Sequence, residues 1–391
     1  MTKKEINEIK SLFDTIQDCG ISRLAGCYVD GDGNKVKTFN DSFLNLPEEE
    51  MYKYLEIFRK TLSGTPGKNL LDMSFVNSGE ENSDNLNTSY GKGMLQKIRK
   101  SELKDEAVLE DFYDKVIETY DYVGNYLILL IHQTYDIPGM TTDGIEMDDS
   151  SDEIYSYILC SICPMKLTKP GLGFDDDLGE IHTLRQIFAV ELPDNGFLFP
   201  SFNDRSTDDN EVLYSSRKTD KLQENFIEKV LDVTATLPAK QQKEGFTEFV
   251  SDVLGEESNI ETVLSIQENL KETVNNKKSE AEGETIFFDK DSMRNVFEKS
   301  GVSEERLEVF DKKFDQQFEK QFENAPNIKV EEKLFADNIA PVRNFEVRNK
   351  NMLLRVKSKH ADIIDTRVID GKKCLVIELT DDLTVNGIPV N

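Results

Sequence analysis

The chain has 391 residues, and its 75 acidic side chains outnumber 47 Lys and Arg, giving a formal net charge of −28. This length predicts about two or three domains, each able to fold without metals or disulfides. The acidic balance excludes nucleic-acid binding over most of the surface, the five scattered cysteines exclude a disulfide framework, and no apolar run approaches the roughly 20 residues of a membrane span. We therefore expect a cytoplasmic protein with reduced thiols, no cofactor and no membrane partner.

The N-terminal half is predicted to alternate helices with strands. Apolar residues at helical spacing and capping signals indicate the helices, and turn residues indicate the ends of the strands. In chain order the predicted elements are a helix from Thr2 to about 20, a hairpin over 21–39, a helix from Pro47 to about Gly64, a helix at about 105–120, and strands at 126–135, 154–163, 184–192 and 197–202. Short connections favour an antiparallel sheet.

Helices are predicted to resume at about Asp220, and strands return near the C-terminus. The later predicted elements are helices at about 292–299 and 304–322, strands at 344–347 and 352–357, and a hairpin joined by Asp370-Gly371. We therefore predict an α+β protein in which helices pack on the antiparallel sheet of the first domain. Its parts are a mixed domain at 1–218, a helical segment at 219–275, a linker at 276–284, and a smaller α+β domain at 285–391.

Cys160 and Cys163 form a C-x-x-C pattern at the end of an apolar predicted strand. A thioredoxin-type pair requires a helix N-terminus, and a zinc knuckle requires a second ligand pair at motif spacing. In a regular strand these two positions face opposite sides, which favours small buried core residues. One catalytic alternative stays open. If the strands at 126–135 and 154–163 form a hairpin, His132 lies near Cys160, and a Cys–His pair is the minimum for thiol activation.

The loop after the aromatic strand at 197–202 contains both signs of charge. Asn203, Asp204 and Arg205 are candidate binding residues, because loops at strand ends concentrate such residues. The structural alternative, which we favour, is an Asp–Arg pair that pins the loop, with Asn203 or Asp204 as a turn or cap residue.

Residues 341–373 reverse the charge of the chain, with nine Lys or Arg against four Asp or Glu. Strand alternation predicts that Arg355, Lys357 and Lys359 share one face, and the Asp370-Gly371 hairpin adds Lys372 and Lys373. The functional interpretation is a docking face for nucleic acid or for an acidic protein surface. The alternative is a solvated face or a guarded edge strand, where Lys blocks unwanted pairing.

Several blocks of the chain carry a family resemblance. These blocks are Gly26–Asp30, Phe58–Gly64, Ile158–Pro164, Gly196–Pro200 with Asn203–Arg205, and Thr366–Gly371. They resemble a bacterial family of unknown function over nearly the whole chain, which implies a bacterial cytoplasmic protein and transfers no activity. In addition, residues 342–351 and the alternating strands after them are similar to the end of bacterial nucleoid-associated proteins, which are also acidic overall.

These patterns predict a non-catalytic binding or interaction protein, with nucleoid association through the C-terminal basic strand. The alternative is a thiol-dependent enzyme that uses Cys160 with His132. A third hypothesis is a homo-oligomer that assembles through the helical middle of the chain.

Overall fold

The structure is a computed structural model of the chain. It describes residues 1–17, 19–75, 90–140, 146–175, 179–233, 238–280, 286–322, 325–331, 334–340, 344–348, 350–357, 363–377, 384–385 and 388–389. The chain divides into two compact units, Met1–Ala239 with Gly283–Thr285, and Lys240–Glu282 with Ile286–Asn391. Of the helices that the structure describes, none is long and apolar enough to cross a membrane.

The first unit combines helices with a large sheet, as the α+β prediction requires. Its helices are α1 (Lys3–Ser11), α2 (Glu48–Thr61), α3 (Tyr90–Lys100), α4 (Glu106–Thr119) and the short α5 (Glu224–Phe226), which continues into a π-helical turn at Ile227–Leu231. Its strands are β1 (Ile21–Val29), β2 (Lys35–Ser42), β3 (Leu70–Ser74), β4 (Tyr126–Met140), β5 (Glu146–Leu167), β6 (Leu172–Asp175), β7 (Glu180–Thr183), β8 (Phe188–Val190), β9 (Asn195–Phe199), β10 (Ser201–Asn203), β11 (Ser206–Asp208) and β12 (Glu211–Ser216).

The predicted antiparallel sheet is confirmed. Its strands follow the order β2-β1-β4-β5-β9-β12-β3, and every neighbouring pair is antiparallel. The strands β4 and β5 form a long hairpin, so His132 lies within β4 and not at its end. The predicted strand at 184–192 is confirmed only over Phe188–Val190, which form β8, because residues 184–187 lie between two separate ladders, β6–β7 and β5–β8.

The two faces of this sheet are covered by different helices. Alternate residues of a strand point to opposite faces, so Leu129 and Leu159 pack with α1 and α2, where Ile9 and Phe58 are buried. On the other face, Phe112 of α4 lies 6.2 Å from Phe197 of β9, measured between ring centroids. The sheet is therefore a middle layer with an apolar core on each side.

Residues 165–175 and 179–190 form two antiparallel ladders that we call together the β-arm. At its base β5 pairs with β8, and beyond that point β6 pairs with β7. Between the two ladders, the Thr168 amide donates to the Ile187 carbonyl oxygen and the Leu184 amide donates to the Gly171 carbonyl oxygen, at 2.8 Å and 2.9 Å. Main-chain hydrogen bonds therefore connect the described residues of the arm between the two ladders as well as within them.

The second unit begins with helices and continues in short hairpins. Its helices are α6 (Ala239–Leu254), α7 (Ile260–Glu280), α8 (Lys290–Lys299), α9 (Glu304–Phe318) and α10 (Ala336–Ile339), with a 3-10 helix at Gly255–Glu257. Its strands are β13 (Phe287–Phe288), β14 (Glu319–Phe322), β15 (Ala325–Glu331), β16 (Leu334–Phe335), β17 (Asn344–Arg348), β18 (Leu353–Lys357), β19 (Ile364–Ile369), β20 (Lys372–Ile377), β21 (Thr384–Val385) and β22 (Ile388–Pro389). Phenylalanines dominate its core.

The observed division differs from the predicted boundaries. Residues 219–239 belong to the first unit, and α6 and α7 belong to the second. Residues 276–280, predicted as part of a linker, complete α7, since the Lys and Glu in that polar stretch are also good helix formers. Polarity alone therefore does not distinguish a linker from a solvated helix end.

Candidate functional site

Cys160 and His132 lie on the same face of the β4–β5 hairpin. Leu130 is paired with Cys160, and His132 is paired with Ile158, so the two candidates are diagonal neighbours. Diagonal positions of this kind are about 7–8 Å apart, so a direct contact would require the two side chains to extend toward each other. Among the contacts of the described residues, none joins the Cys160 thiol to the imidazole.

Both ring nitrogens of His132 are engaged by serine hydroxyls. Ser22 Oγ lies 2.7 Å from Nδ1, and Ser156 Oγ lies 3.0 Å from Nε2. His132 is only 3% exposed, and burial lowers its pKa, so the neutral imidazole is favoured. A neutral ring has one donor and one acceptor nitrogen, so one serine donates and the other accepts. The side chain therefore links β1, β4 and β5.

The surroundings of Cys160 are those of a core residue. The side chain is fully buried, and burial raises the pKa of the thiol well above its ordinary value, with Cys163 adding to the rise. Because the thiolate is the nucleophile, this environment opposes thiol chemistry. Cys163 is buried with Leu159 in the core beneath α1 and α2, on the opposite face from Cys160, as the spacing predicts. In the described ranges, no three His, Cys, Asp or Glu side chains are grouped as metal ligands.

A polar pocket beside His132 escaped the sequence reasoning. Its volume is about 280 Å³, and it is lined by Arg99, Lys100, Glu102, His132, Thr134, Ile154, Ser156 and Thr207. These residues come from the end of α3, from β4 and β5, and from β11, so no local pattern could have grouped them. The charged residues of its lining are two basic ones, Arg99 and Lys100, and one acidic one, Glu102.

Arg99 of that pocket already has a structural role. Its Nη1 lies 2.8 Å from Asp209 Oδ1, and its guanidinium carbon lies 5.8 Å from the centroid of the Phe199 ring. The Arg99 side chain is 13% exposed and that of Asp209 is 40% exposed, so the ion pair is shielded from water on the arginine side only. Arg99 therefore fastens α3 to the end of the sheet.

Asn203, Asp204 and Arg205 lie in the tight turn between β10 and β11. Asp204 and Arg205 have φ angles of 51° and 55°, in the left-handed region that two-residue hairpin turns require. Asn203 Nδ2 donates to Asp208 Oδ2 at 2.8 Å and to Glu211 Oε2 at 3.0 Å. The amide therefore holds the hairpin to the start of β12.

Arg205 fastens the turn to α1. Its Nη1 lies 3.1 Å from Glu8 Oε2, its Nη2 donates to the Pro138 carbonyl oxygen at 3.1 Å, and its backbone amide donates to Glu5 Oε1 at 3.3 Å. The carboxylate that is seen to pair with Arg205 is that of Glu8 in α1. The structural interpretation of the loop is retained.

The C-terminal basic residues lie on two-stranded hairpins. In β18, Leu353, Arg355 and Lys357 are exposed, whereas Val356 is 8% exposed. Asp370 and Gly371 have φ angles of 50° and 76° and form the predicted turn between β19 and β20. Lys372 in β20 is exposed, the side chain of Lys373 is outside the described set, and Lys359 falls outside the described residues.

One acidic residue shares the outward face of β17–β18. Arg355 Nε lies 3.0 Å from Glu346 Oε2, and Arg348 Nε lies 3.9 Å from Glu346 Oε1. The three basic residues Arg348, Arg355 and Lys357 therefore exceed Glu346 on this face by two charges. Because this sheet has only two strands, both of them are edges, and the guarded-edge interpretation fits the same residues.

The comparisons with known proteins establish a family and no activity. No curated protein matches the chain. A family model described as a domain of unknown function, DUF4317, matches residues 1–388. This match confirms the resemblance to a family of unknown function that the sequence blocks showed. The chain therefore belongs to the DUF4317 family.

Proposed function

We propose that this protein is a non-catalytic binding protein that holds nucleic acid on its C-terminal hairpins. The observation that supports the proposal is the outward face of β17–β18, where Arg348, Arg355 and Lys357 stand against Glu346 alone. The chain as a whole carries a formal net charge of −28, so a polyanion is favoured at this face over the average surface of the protein.

The shape of the hairpin favours nucleic acid over an acidic protein surface. A two-stranded antiparallel ribbon fits the major groove of duplex DNA, which is about 12 Å wide. Alternate residues along β18 project to one side at a repeat of roughly 6.6 Å, so Arg355 and Lys357 reach outward together. Such cations contact phosphates, which position a protein on a duplex without specifying a sequence. The proposal places the protein in the cytoplasm, associated with the nucleoid.

The experiment measures the anisotropy of a labelled DNA duplex with the full chain over a range of salt concentrations. We expect binding at low salt that weakens as salt rises, with each phosphate contact contributing about 0.9 to the log–log slope. Arg355→Glu with Lys357→Glu is expected to lower the affinity at least about tenfold. The matched control is Lys3→Glu with Lys4→Glu, which changes the net charge equally on exposed positions of α1.

Glu346 provides a test in the opposite direction. Because its carboxylate contacts both Arg348 and Arg355, Glu346→Gln releases two guanidinium groups and should strengthen DNA binding several-fold. Absence of binding at low salt, or an equal loss in the α1 control, would contradict the proposal. Binding of polyglutamate without binding of DNA would replace nucleic acid with an acidic protein partner.

A further inference from the structure

The contacts around His132 indicate which ring nitrogen carries the proton. Ser22 Oγ lies 2.7 Å from Nδ1 and donates to the His132 carbonyl oxygen at 3.2 Å. A hydroxyl has one proton and a carbonyl oxygen can only accept, so the tautomer that satisfies both contacts donates from Nδ1 to Ser22 Oγ. Nε2 is then the acceptor nitrogen, and the Ser156 hydroxyl donates to it at 3.0 Å. The imidazole is therefore placed to take the proton of Ser156.

A β-bulge brings Ser22 onto this imidazole. Between β1 and β4 the register shifts, with Ile21 paired to Gln133 and Arg23 paired to His132, so Ser22 is the extra residue. A bulge redirects a side chain, and bulges are frequent next to active sites. The bulge therefore supplies a hydroxyl to the ring nitrogen that Ser156 does not contact.

Ser156 faces the pocket of about 280 Å³ beside His132. It is half-buried in the pocket wall, and His132 lines the same pocket. Arg99 and Lys100 bring positive charge to the lining, which favours negative charge developing on a carbonyl oxygen. Among the described lining residues, Ile154 has the only wholly apolar side chain. The pocket therefore suits a short acyl group better than a long hydrocarbon chain.

Backbone strain is concentrated at the rim of this pocket. Glu102, which lines it, has a φ angle of 52°, and Leu103 has a φ angle of 61°, in the left-handed region that residues other than glycine rarely adopt. Leu103 is fully buried, and its carbonyl oxygen accepts from Asn40 Nδ2 at 2.7 Å, so packing holds the strained segment. Strained residues held in this way cluster at functional sites. This strain favours a functional pocket independently of the serine contacts.

We infer that Ser156 is a nucleophile that accepts a short acyl group from an activated ester or thioester, with His132 as its base and Ser22 as the positioning residue. A serine within hydrogen-bond reach of a base, and a base oriented by a third group, is the arrangement that activates a hydroxyl. The inference goes beyond nucleic-acid binding and does not rest on it. One acyl group is taken up per chain, so the reaction is a modification of the protein and not catalysis.

The step conserves atoms and electrons without an oxidant or a reductant. Burial lowers the pKa of His132, so the ring is neutral at the start. Nε2 takes the hydroxyl proton as Ser156 Oγ bonds to the acyl carbon. The bond from that carbon to the leaving oxygen or sulfur then breaks, and the leaving group takes the proton from Nε2. The products are an ester at Ser156 and an alcohol or a thiol.

The first experiment incubates the full chain with p-nitrophenyl acetate and locates the acetyl group by mass spectrometry of the intact protein and its peptides. We expect Ser156 to be acetylated faster than any other residue, and the same chain in urea should lose this selectivity. His132→Gln should slow the acetylation of Ser156 at least about a hundredfold, because a positioned general base contributes this much or more. The matched control is Ser74→Ala, which removes an exposed hydroxyl that donates to Glu211 at 3.2 Å and should leave the rate at Ser156 unchanged.

The second experiment examines the tautomer of His132 by nitrogen NMR of histidine-labelled protein, in which His132→Gln identifies the signals by their loss. The wild-type ring should be protonated at Nδ1. Ser22→Ala removes the acceptor at Nδ1, so the signals should shift toward the form protonated at Nε2, and the acetylation of Ser156 should slow at least about tenfold. Ser22→Thr keeps a hydroxyl and should retain the wild-type tautomer.

Three results would overturn the inference. If Ser156 reacts no faster in the folded chain than in urea, its hydroxyl is not activated. An unchanged rate in His132→Gln would exclude the imidazole as the base. A wild-type ring protonated at Nε2 would make Ser156 an acceptor from the ring and not a donor to it. None of these results affects the test of DNA binding by the C-terminal hairpins, so the two proposals can fail separately.

Discussion

The cores of the two units contain aromatic residues of different kinds. In the first unit, the hydroxyl of Tyr214 donates to Asn195 Oδ1 and Asn195 Nδ2 donates to the hydroxyl of Tyr120, both at 2.8 Å. In the second unit, the ring of Phe249 lies 5.2 Å from Phe310 and carries no polar atom. Part of the first core is therefore held by buried hydrogen bonds, which impose specific geometry, whereas the aromatic cluster of the second is held by filled volume.

This comparison predicts the largest loss at the centre of the phenylalanine cluster. Phe249 contacts the rings of Phe297, Phe310, Phe314 and Phe318. Phe249→Ala should lower the free energy of unfolding of the second unit by about 3–5 kcal/mol, because a large cavity forms. Urea unfolding with hydrogen exchange of α6–α9 measures this loss. Phe287→Ala is the control, since that ring is 41% exposed, and an equal cost there would disprove the volume argument.

The next effect concerns the polar network of the first unit. Asn195→Leu should lower the free energy of unfolding of the first unit by about 2–4 kcal/mol, because it leaves the hydroxyls of Tyr120 and Tyr214 buried without their shared partner. The same substitution in a chain with Tyr120→Phe and Tyr214→Phe should cost much less, since no hydroxyl is left unsatisfied. A double-mutant cycle from chemical unfolding measures this difference. Equal costs in both backgrounds would show that the network does not depend on hydrogen bonding.

Two stacked tyrosines give a smaller and sharper contrast. Tyr155 and Tyr157 are fully buried, with ring centroids 4.8 Å apart, but only Tyr155 has a bonded hydroxyl, which donates to the Pro200 carbonyl oxygen at 2.5 Å. Among the described residues, the Tyr157 hydroxyl has no partner. Tyr155→Phe should lower the free energy of unfolding by about 1–2 kcal/mol, whereas Tyr157→Phe should leave it unchanged or raise it. Thermal unfolding of both variants tests which one is less stable. A lower melting temperature for Tyr157→Phe than for Tyr155→Phe would contradict the prediction.

The smallest predicted effect is the pH dependence caused by His132. Burial lowers its pKa in the folded state, so the unfolded state binds more protons. The contribution of the neutral His132 to the free energy of unfolding is complete above about pH 6.5, the pKa of histidine in the unfolded chain. It is lost as the pH falls through the lower pKa of His132 in the folded state. Wild-type stability should therefore decline on acidification more than that of His132→Asn. Unfolding curves at several pH values measure the difference, and parallel declines would disprove the assignment.

Local signals predicted part of this architecture. Pro47 with three following Glu marked α2, and Asp370-Gly371 marked a two-residue hairpin, because each signal acts within a few residues. The predicted strand at 184–192 was too long, since only Phe188–Val190 pair as a strand although the whole apolar run resembles one. An apolar pattern indicates the local propensity to form a strand, whereas hydrogen-bonded pairing also depends on the partner strand.

The candidate site was less predictable than the fold. The strand pairing that brings His132 near Cys160 was anticipated, but the serines that occupy both imidazole nitrogens were not. Ser22 is separated from His132 by 110 residues, so no spacing rule could connect them. The same reason applies to Arg99 and Asp209, whose ion pair forms only when α3 meets the end of the sheet.

The contact between Arg205 and Glu8 also bears on how the chain folds during synthesis. The two residues are 197 positions apart, and chains are synthesised from the N-terminus at about 5–20 residues per second, so α1 is made on the order of 10–40 s before its guanidinium partner. Until then the apolar side of α1 lacks its final sheet surface. The first unit therefore completes its fold only after β10 and β11 have left the ribosome.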